Sequence, residues 1–272
     1  MKRKMVIGML TMGMVLCGAM TVSAESDGYV ISASHGYGAV EHWEIKTIGM
    51  QDAAKDLGVE FNYKYADGDL QQEVADIENF VEMGTNYIIV GPCNSEGIVP
   101  VIEEAQDKGV AVGTCDIGIE GVDVASFVSS DNYGIGEIAA DYIGTEMNGE
   151  GEIAILTWPA ASATADRAKG FKDKMEEKYP NIKIVSEQDC NADRSSSLAA
   201  TESIIQANGD IKFVWGANAE MALGAYAATQ SLNRSDINVV AVDTDGEVME
   251  LTWLLQFLRI HIQWDIKLLR MQ

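Results

Sequence analysis

The chain has 272 residues, 47% of them apolar and 22% charged, with 19 basic residues against 42 acidic ones. That length accommodates two ordinary domains, and the apolar content excludes a disordered or fibrous chain. A net charge of −23 disfavours nucleic acid and anionic lipid surfaces as partners.

Lys2, Arg3 and Lys4 open the chain, Met5 to Met20 is uncharged and mostly apolar, and Val22-Ser23-Ala24 supplies the small residues of a cleavage site. This pattern predicts a secretory signal over 1–24 and an exported product, in the periplasm or at the cell surface, starting at Glu25. The apolar run is shorter than the ~20 residues of a membrane span. Cys17 follows Leu16, where a lipid-attachment motif needs a small residue, so a freely soluble product is expected. Without the signal the charge becomes −26. Cys93, Cys115 and Cys190 then remain, an odd number that suits buried free thiols better than a disulfide framework.

From Tyr29 onward, short β-branched runs alternate with amphipathic stretches. Strands are predicted at 29–34, 59–65, 87–91, 110–115, 125–129, 152–157, 182–187, 213–215 and 238–242. Helices are predicted at 42–57, 70–83, 95–108, 133–147, 164–179, 195–207 and 219–231. This alternation implies parallel sheets with crossover helices. Gly58, Gly84 and Gly109 each follow an apolar helical run and suit the left-handed position that ends a helix. Asp131 or Asn132 caps the helix near Tyr133.

The polar stretch Ser129-Ser130-Asp131-Asn132 divides the pattern into two sets of similar size, which places a first α/β lobe at 25–130 and a second at 131–250. The segment 251–272 breaks the pattern. It holds one acid, three bases and two of the five tryptophans, against 41 acids and 13 bases over 25–250.

With these segments in place, the chain resembles the type I (ribose/galactose-type) periplasmic sugar-binding proteins of ABC transporters. The resemblance rests on HWEIKTIGMQDAAKDLG (42–58), YIIVGPCNSEGI (87–98), GVAVGTCD (109–116), SSDNYGIGEIAADYI (129–143), DRAKGF (166–171), VWGANAEMALGA (214–225) and VVAVDTDG (239–246). It covers about residues 28–250 and implies two doubly wound parallel-sheet lobes, joined by three crossings and closing on one monosaccharide. It also implies a membrane permease as partner, a monomeric receptor, and no metal or nucleotide.

Sugar hydroxyls need carboxylate acceptors and arginine or asparagine donors, and the apolar face of a sugar suits a flat ring. Carried over from the family, His42 and Trp43 occupy the place of its paired aromatic residues near the first helix. His42 departs from the usual phenylalanine, and Trp43 also suits an ordinary core position. Asp116 matches the hydroxyl-accepting aspartate, although Ile117 follows it where ribose binders have arginine. Gly91 stands where those binders have a ligand-contacting asparagine.

In the second lobe, Arg167 matches a sugar-contacting arginine and Asn218 a residue bridging hydroxyls. Asp243 ends a strand toward the cleft, and Trp158 falls at an apolar contact position. Ala192 replaces an aromatic of the family, a platform that Trp158 is expected to replace.

The segment after 250 lacks the second crossing and closing helix of the family. One codon choice for Leu258 to Leu268, shifted by one base, reads QNPYPMGYKA, a string that looks like the missing segment. A frameshift near Leu251, leaving the C-terminal part incomplete, is therefore expected.

No G-x-S-x-G, H-E-x-x-H, C-x-x-C or Walker motif occurs, so no enzyme is expected. A sugar-responsive repressor would begin with a helix-turn-helix. A receptor for a sugar-like signalling molecule stays open beside nutrient uptake.

Overall fold

A computed structural model describes residues 28–38, 41–243 and 246–248. The expected signal segment and the expected aberrant tail lie outside the described residues. Among those described, no helix is long and apolar enough to cross a membrane.

The first sheet is built from β1 (Val30–His35), β2 (Glu60–Tyr65), β3 (Tyr87–Gly91), β4 (Ala111–Cys115) and β5 (Ser126–Val128). They lie in the order β2-β1-β3-β4-β5, and every pair is parallel. The crossovers are α1 (Glu41–Leu57), α2 (Leu70–Glu82) and α3 (Val99–Asp107).

After α4 (Asn132–Glu146) the second set begins: β6 (Glu150–Thr157), α5 (Ser162–Lys178), β7 (Asn181–Asp189), α6 (Arg194–Ala207), β8 (Ile211–Gly216), α7 (Ala219–Ser231) and β9 (Asn238–Ala241). Its sheet runs β7-β6-β8-β9, again all parallel. The fold is therefore the doubly wound parallel α/β architecture expected. In each sheet the strand order reverses beside the first strand of its set, which opens a crevice at the carboxyl ends of the strands.

Local chemistry sets the element ends. Gly58, Gly84 and Gly109 have φ of +68°, +82° and +86°, the conformation that lets each helix stop without a Cβ penalty. Asp131 caps α4, its side chain accepting from Gly134 N at 2.9 Å. One helix start differs from expectation: α3 begins at Val99, not Ser95. The Asn94 side chain instead accepts from Glu96 N and Gly97 N in a turn, and Pro100 fits the first helical turn that follows.

The first lobe is centred on Ile77, Phe80, Ile88, Ile98 and Ile102, all at most 2% exposed. The second is centred on Ile153, Ile155, Leu156, Phe171 and Trp215, with the last two rings stacked at 4.3 Å. Each such side chain contributes on the order of 1.5–3 kcal/mol by leaving water. Trp43, Cys93 and Ile117 of the first lobe join the second lobe's cluster, so apolar packing continues across the junction.

Candidate functional site

Two aspartates occupy corresponding places in the two sheets. Asp116 follows β4, the fourth strand of its set, and Asp243 lies just beyond β9, the fourth strand of the other. Both have left-handed backbones, with φ of +70° and +73°, a conformation that aspartate adopts more readily than most non-glycine residues.

Each carboxylate has basic company. Asp116 Oδ2 lies 3.0 Å from Lys46 Nζ and 3.2 Å from His42 Nε2, both on α1. Burial alone would raise the pKa of Asp116, but the His42 hydrogen bond and the Lys46 charge outweigh it and hold the carboxyl well below the usual range. Burial lowers the pKa of Lys46, with Asp116 opposing, and Asp243 on the other lobe also acts on this ammonium.

On the second lobe, Arg167 is 5% exposed. Its Nε donates to Asn132 Oδ1 at 2.9 Å, and its Nη1 donates to Ala217 O at 2.8 Å and to Asp243 Oδ2 at 3.4 Å. Its ion-pair partner is therefore Asp243 rather than its helix neighbours Asp166 and Asp173. Asn218 uses its side-chain oxygen to cap α7, accepting from Met221 N at 2.9 Å.

Trp43 is 4% exposed, with Lys46 Nζ 4.2 Å from its ring centroid and His42 edge-on at 5.6 Å. It also explains Gly91: a Cβ there would lie 2.5 Å from Trp43 Cη2 and 2.7 Å from Cζ3. An asparagine at 91 would require the indole at 43 to shift.

Trp158, also 4% exposed, meets the edge of Tyr37 at 4.9 Å. Tyr37 belongs to the first lobe, and its hydroxyl donates to Asn191 O of the second at 2.9 Å. The Tyr37 ring, from the opposite lobe, thus reaches the residue before Ala192.

The lobes touch at further points. Ser95 N donates to Ala160 O at 2.9 Å, Ser162 N to Ser95 Oγ at 3.0 Å, Gly118 N to Ser162 Oγ at 2.9 Å, and Gly246 N to Glu41 Oε2 at 2.7 Å.

Sequence reasoning missed Lys46, Tyr37 and Asn132. Lys46 had a signal, since it lies four residues after His42 and three after Trp43 on one helix, where side chains meet. Among the described residues no group of three or more His, Cys, Asp or Glu is arranged to hold a metal ion.

The comparisons with known proteins agree with this architecture. A family model described as a periplasmic binding protein domain matches residues 37–254. The ribose import binding protein RbsB of Bacillus subtilis is 32% identical over 202 residues, which are 74% of this chain and 65% of that protein. The chain thus spans just under two thirds of that relative's length.

A carbohydrate transporter solute binding protein from Agrobacterium radiobacter, solved with D-arabinose, is 26% identical with a TM-score of 0.79, covering 84% of this chain and 80% of that one. An ABC transporter solute binding protein from Bacillus halodurans with bound myo-inositol is also 26% identical, with a TM-score of 0.77 over 85% and 81% of the two chains. By its matching family model and its parallel two-sheet architecture, the chain belongs to the periplasmic binding protein family, of the type I fold, and is similar to these sugar-binding relatives.

Proposed function

We propose that this chain is an exported receptor that captures a monosaccharide between its lobes and delivers it to the membrane permease of an ABC importer. The observation that carries the reading is the pair of aspartates, one at the end of each fourth strand, each with one oxygen beside a basic side chain. A carboxylate held this way is charged and fixed in position, as an acceptor for sugar hydroxyls must be. Because each carboxylate is balanced by Lys46 or Arg167, the site suits an uncharged ligand.

Arg167 and Asn218 supply donors on the second lobe, and Trp158 with Tyr37 supplies ring surface. The first-lobe wall is formed by His42, Trp43 and Asp116. Relatives that import ribose, or that were solved with D-arabinose or myo-inositol, support a small polyhydroxylated cargo. Binding is the whole of the chemistry in this reading, with no covalent step.

A thermal-shift screen over neutral pentoses, hexoses and polyols tests it, with amino acids and nucleosides as the contrast. A raised melting temperature with one or a few sugars is the expected result. A shift confined to an amino acid or a nucleoside would sink the cargo class.

A further inference from the structure

One side chain outside the residues nominated above touches all three members of the first-lobe wall. Lys46 Nζ lies 3.0 Å from Asp116 Oδ2, contacts His42 Nε2, and stands 4.2 Å from the centroid of Trp43. Its side chain is 21% exposed, so this ammonium is largely withdrawn from water, and Asp243 acts on it from across the junction.

An ammonium has three donors and no acceptor. Here a carboxylate oxygen accepts from it and an aromatic face lies under it, two kinds of group that recognise a cation, with the His42 ring alongside. Both contacts to Asp116 fall on Oδ2. Among the described residues, Oδ1 has no partner and is left for a ligand.

We propose that Lys46 is a specificity-determining residue that fills the first lobe's own cation site and so restricts the cleft to ligands without an ammonium group. The inference rests on the monosaccharide reading. Its chemistry is that of like charges in a poorly hydrated space: a cationic amino sugar would bring a second ammonium beside one whose charge is little screened. A neutral sugar meets no such repulsion and donates a hydroxyl to Oδ1. Without Lys46, the same carboxylate and indole face become a site for the amino sugar's own ammonium.

The test compares the native chain with Lys46→Met, Lys46→Gln and Lys46→Arg by calorimetry at pH 7.5, using D-glucosamine and D-galactosamine as probes. The neutral panel named above is run on the native chain in parallel, and the melting temperature of each variant reports its folding. The expected result is at least a tenfold gain in amino-sugar affinity for a folded Met or Gln variant, with none for Arg.

A gain below threefold in both uncharged variants, including no detectable binding, would overturn the inference, and so would failure of both to fold. If the native chain binds no neutral sugar, the functional reading fails on its own evidence. An amino-sugar gain in the variants would still support the role of Lys46.

Discussion

The two carboxylates of the proposed site differ in how their charges are held, and this predicts how substitutions act. Asp116→Ala removes a carboxylate that Lys46 and His42 both face, and Arg167→Ala removes the donor that joins Asn132, Ala217 and Asp243. A charged hydrogen bond is worth roughly 1.5–3 kcal/mol, so either change should weaken sugar binding by about ten- to a hundredfold. Calorimetry within a few-fold of the native chain would refute the assignment.

Gly91→Ala should lower the melting temperature, by the roughly 1–3 kcal/mol that overpacking costs, because the new methyl meets the Trp43 ring. Adding Trp43→Leu should recover part of that loss, and no recovery would show that the indole is not the obstacle.

Much at this scale was legible in the sequence. Asp116 and Asp243 fall at strand ends, a place that periodicity alone identifies. For Lys46 only its neighbourhood to His42 and Trp43 was legible; its bond to Asp116 was not, because a lysine on an amphipathic helix ordinarily faces water. Only the packing of α1 against the end of β4 brings it to Asp116.

Among the elements, the contact of α4 with α5 places Arg167. Gly136 lies against the backbone of Arg167 and Phe171, and Gly170 against that of Tyr133, so that a Cβ at either would fall on main-chain atoms that cannot give way. The helices approach closely because these two positions are bare, and that brings the Arg167 guanidinium to Asn132.

Gly170→Ala should therefore lower both the melting temperature and the sugar affinity. Gly209→Ala, which adds a methyl to open space, should lower neither by a comparable amount. An unchanged affinity in a destabilised Gly170 variant would separate the helix contact from the site.

The order and type of these elements followed from alternating apolar periods. The start of α3 did not, because the apolar and polar spacing continues through Asn94 to Ile98 while the Asn94 side chain turns the backbone. Ser95, read as helical, bonds to the second lobe instead.

For the whole molecule, two buried titratable groups near the crevice of the first sheet set opposite responses to pH. Glu73, with no exposed surface, accepts from Cys93 N at 2.9 Å, and burial pushes its carboxyl up from 4.5 to about 7. Between those values the folded chain holds a proton that the unfolded chain has released, so this group withdraws stability as pH rises through the window. Glu73→Gln should therefore gain stability relative to the native chain from pH 5 to 7, and by a constant margin above. Melting curves of both chains at pH 5, 6, 7 and 8 check this, and a difference that does not change with pH would refute it.

His35 acts in the other sense. Burial, then the Lys46 charge, lowers its pKa from 6.5 to about 4, so its contribution is lost as pH falls between those values.

Of the bonds that span the two lobes, Ser95 N to Ala160 O joins main-chain atoms alone, while Gly118 N, Gly246 N and Asn191 O each pair with a side chain, those of Ser162, Glu41 and Tyr37. Main-chain atoms are present whatever residue a gene encodes, whereas recognition of the proposed cargo would depend on side chains such as His42, Lys46 and Arg167. Variation at those side chains can therefore alter the proposed cargo while the main-chain half of each contact between the lobes stays in place, which is one physical route to a single scaffold serving many nutrients.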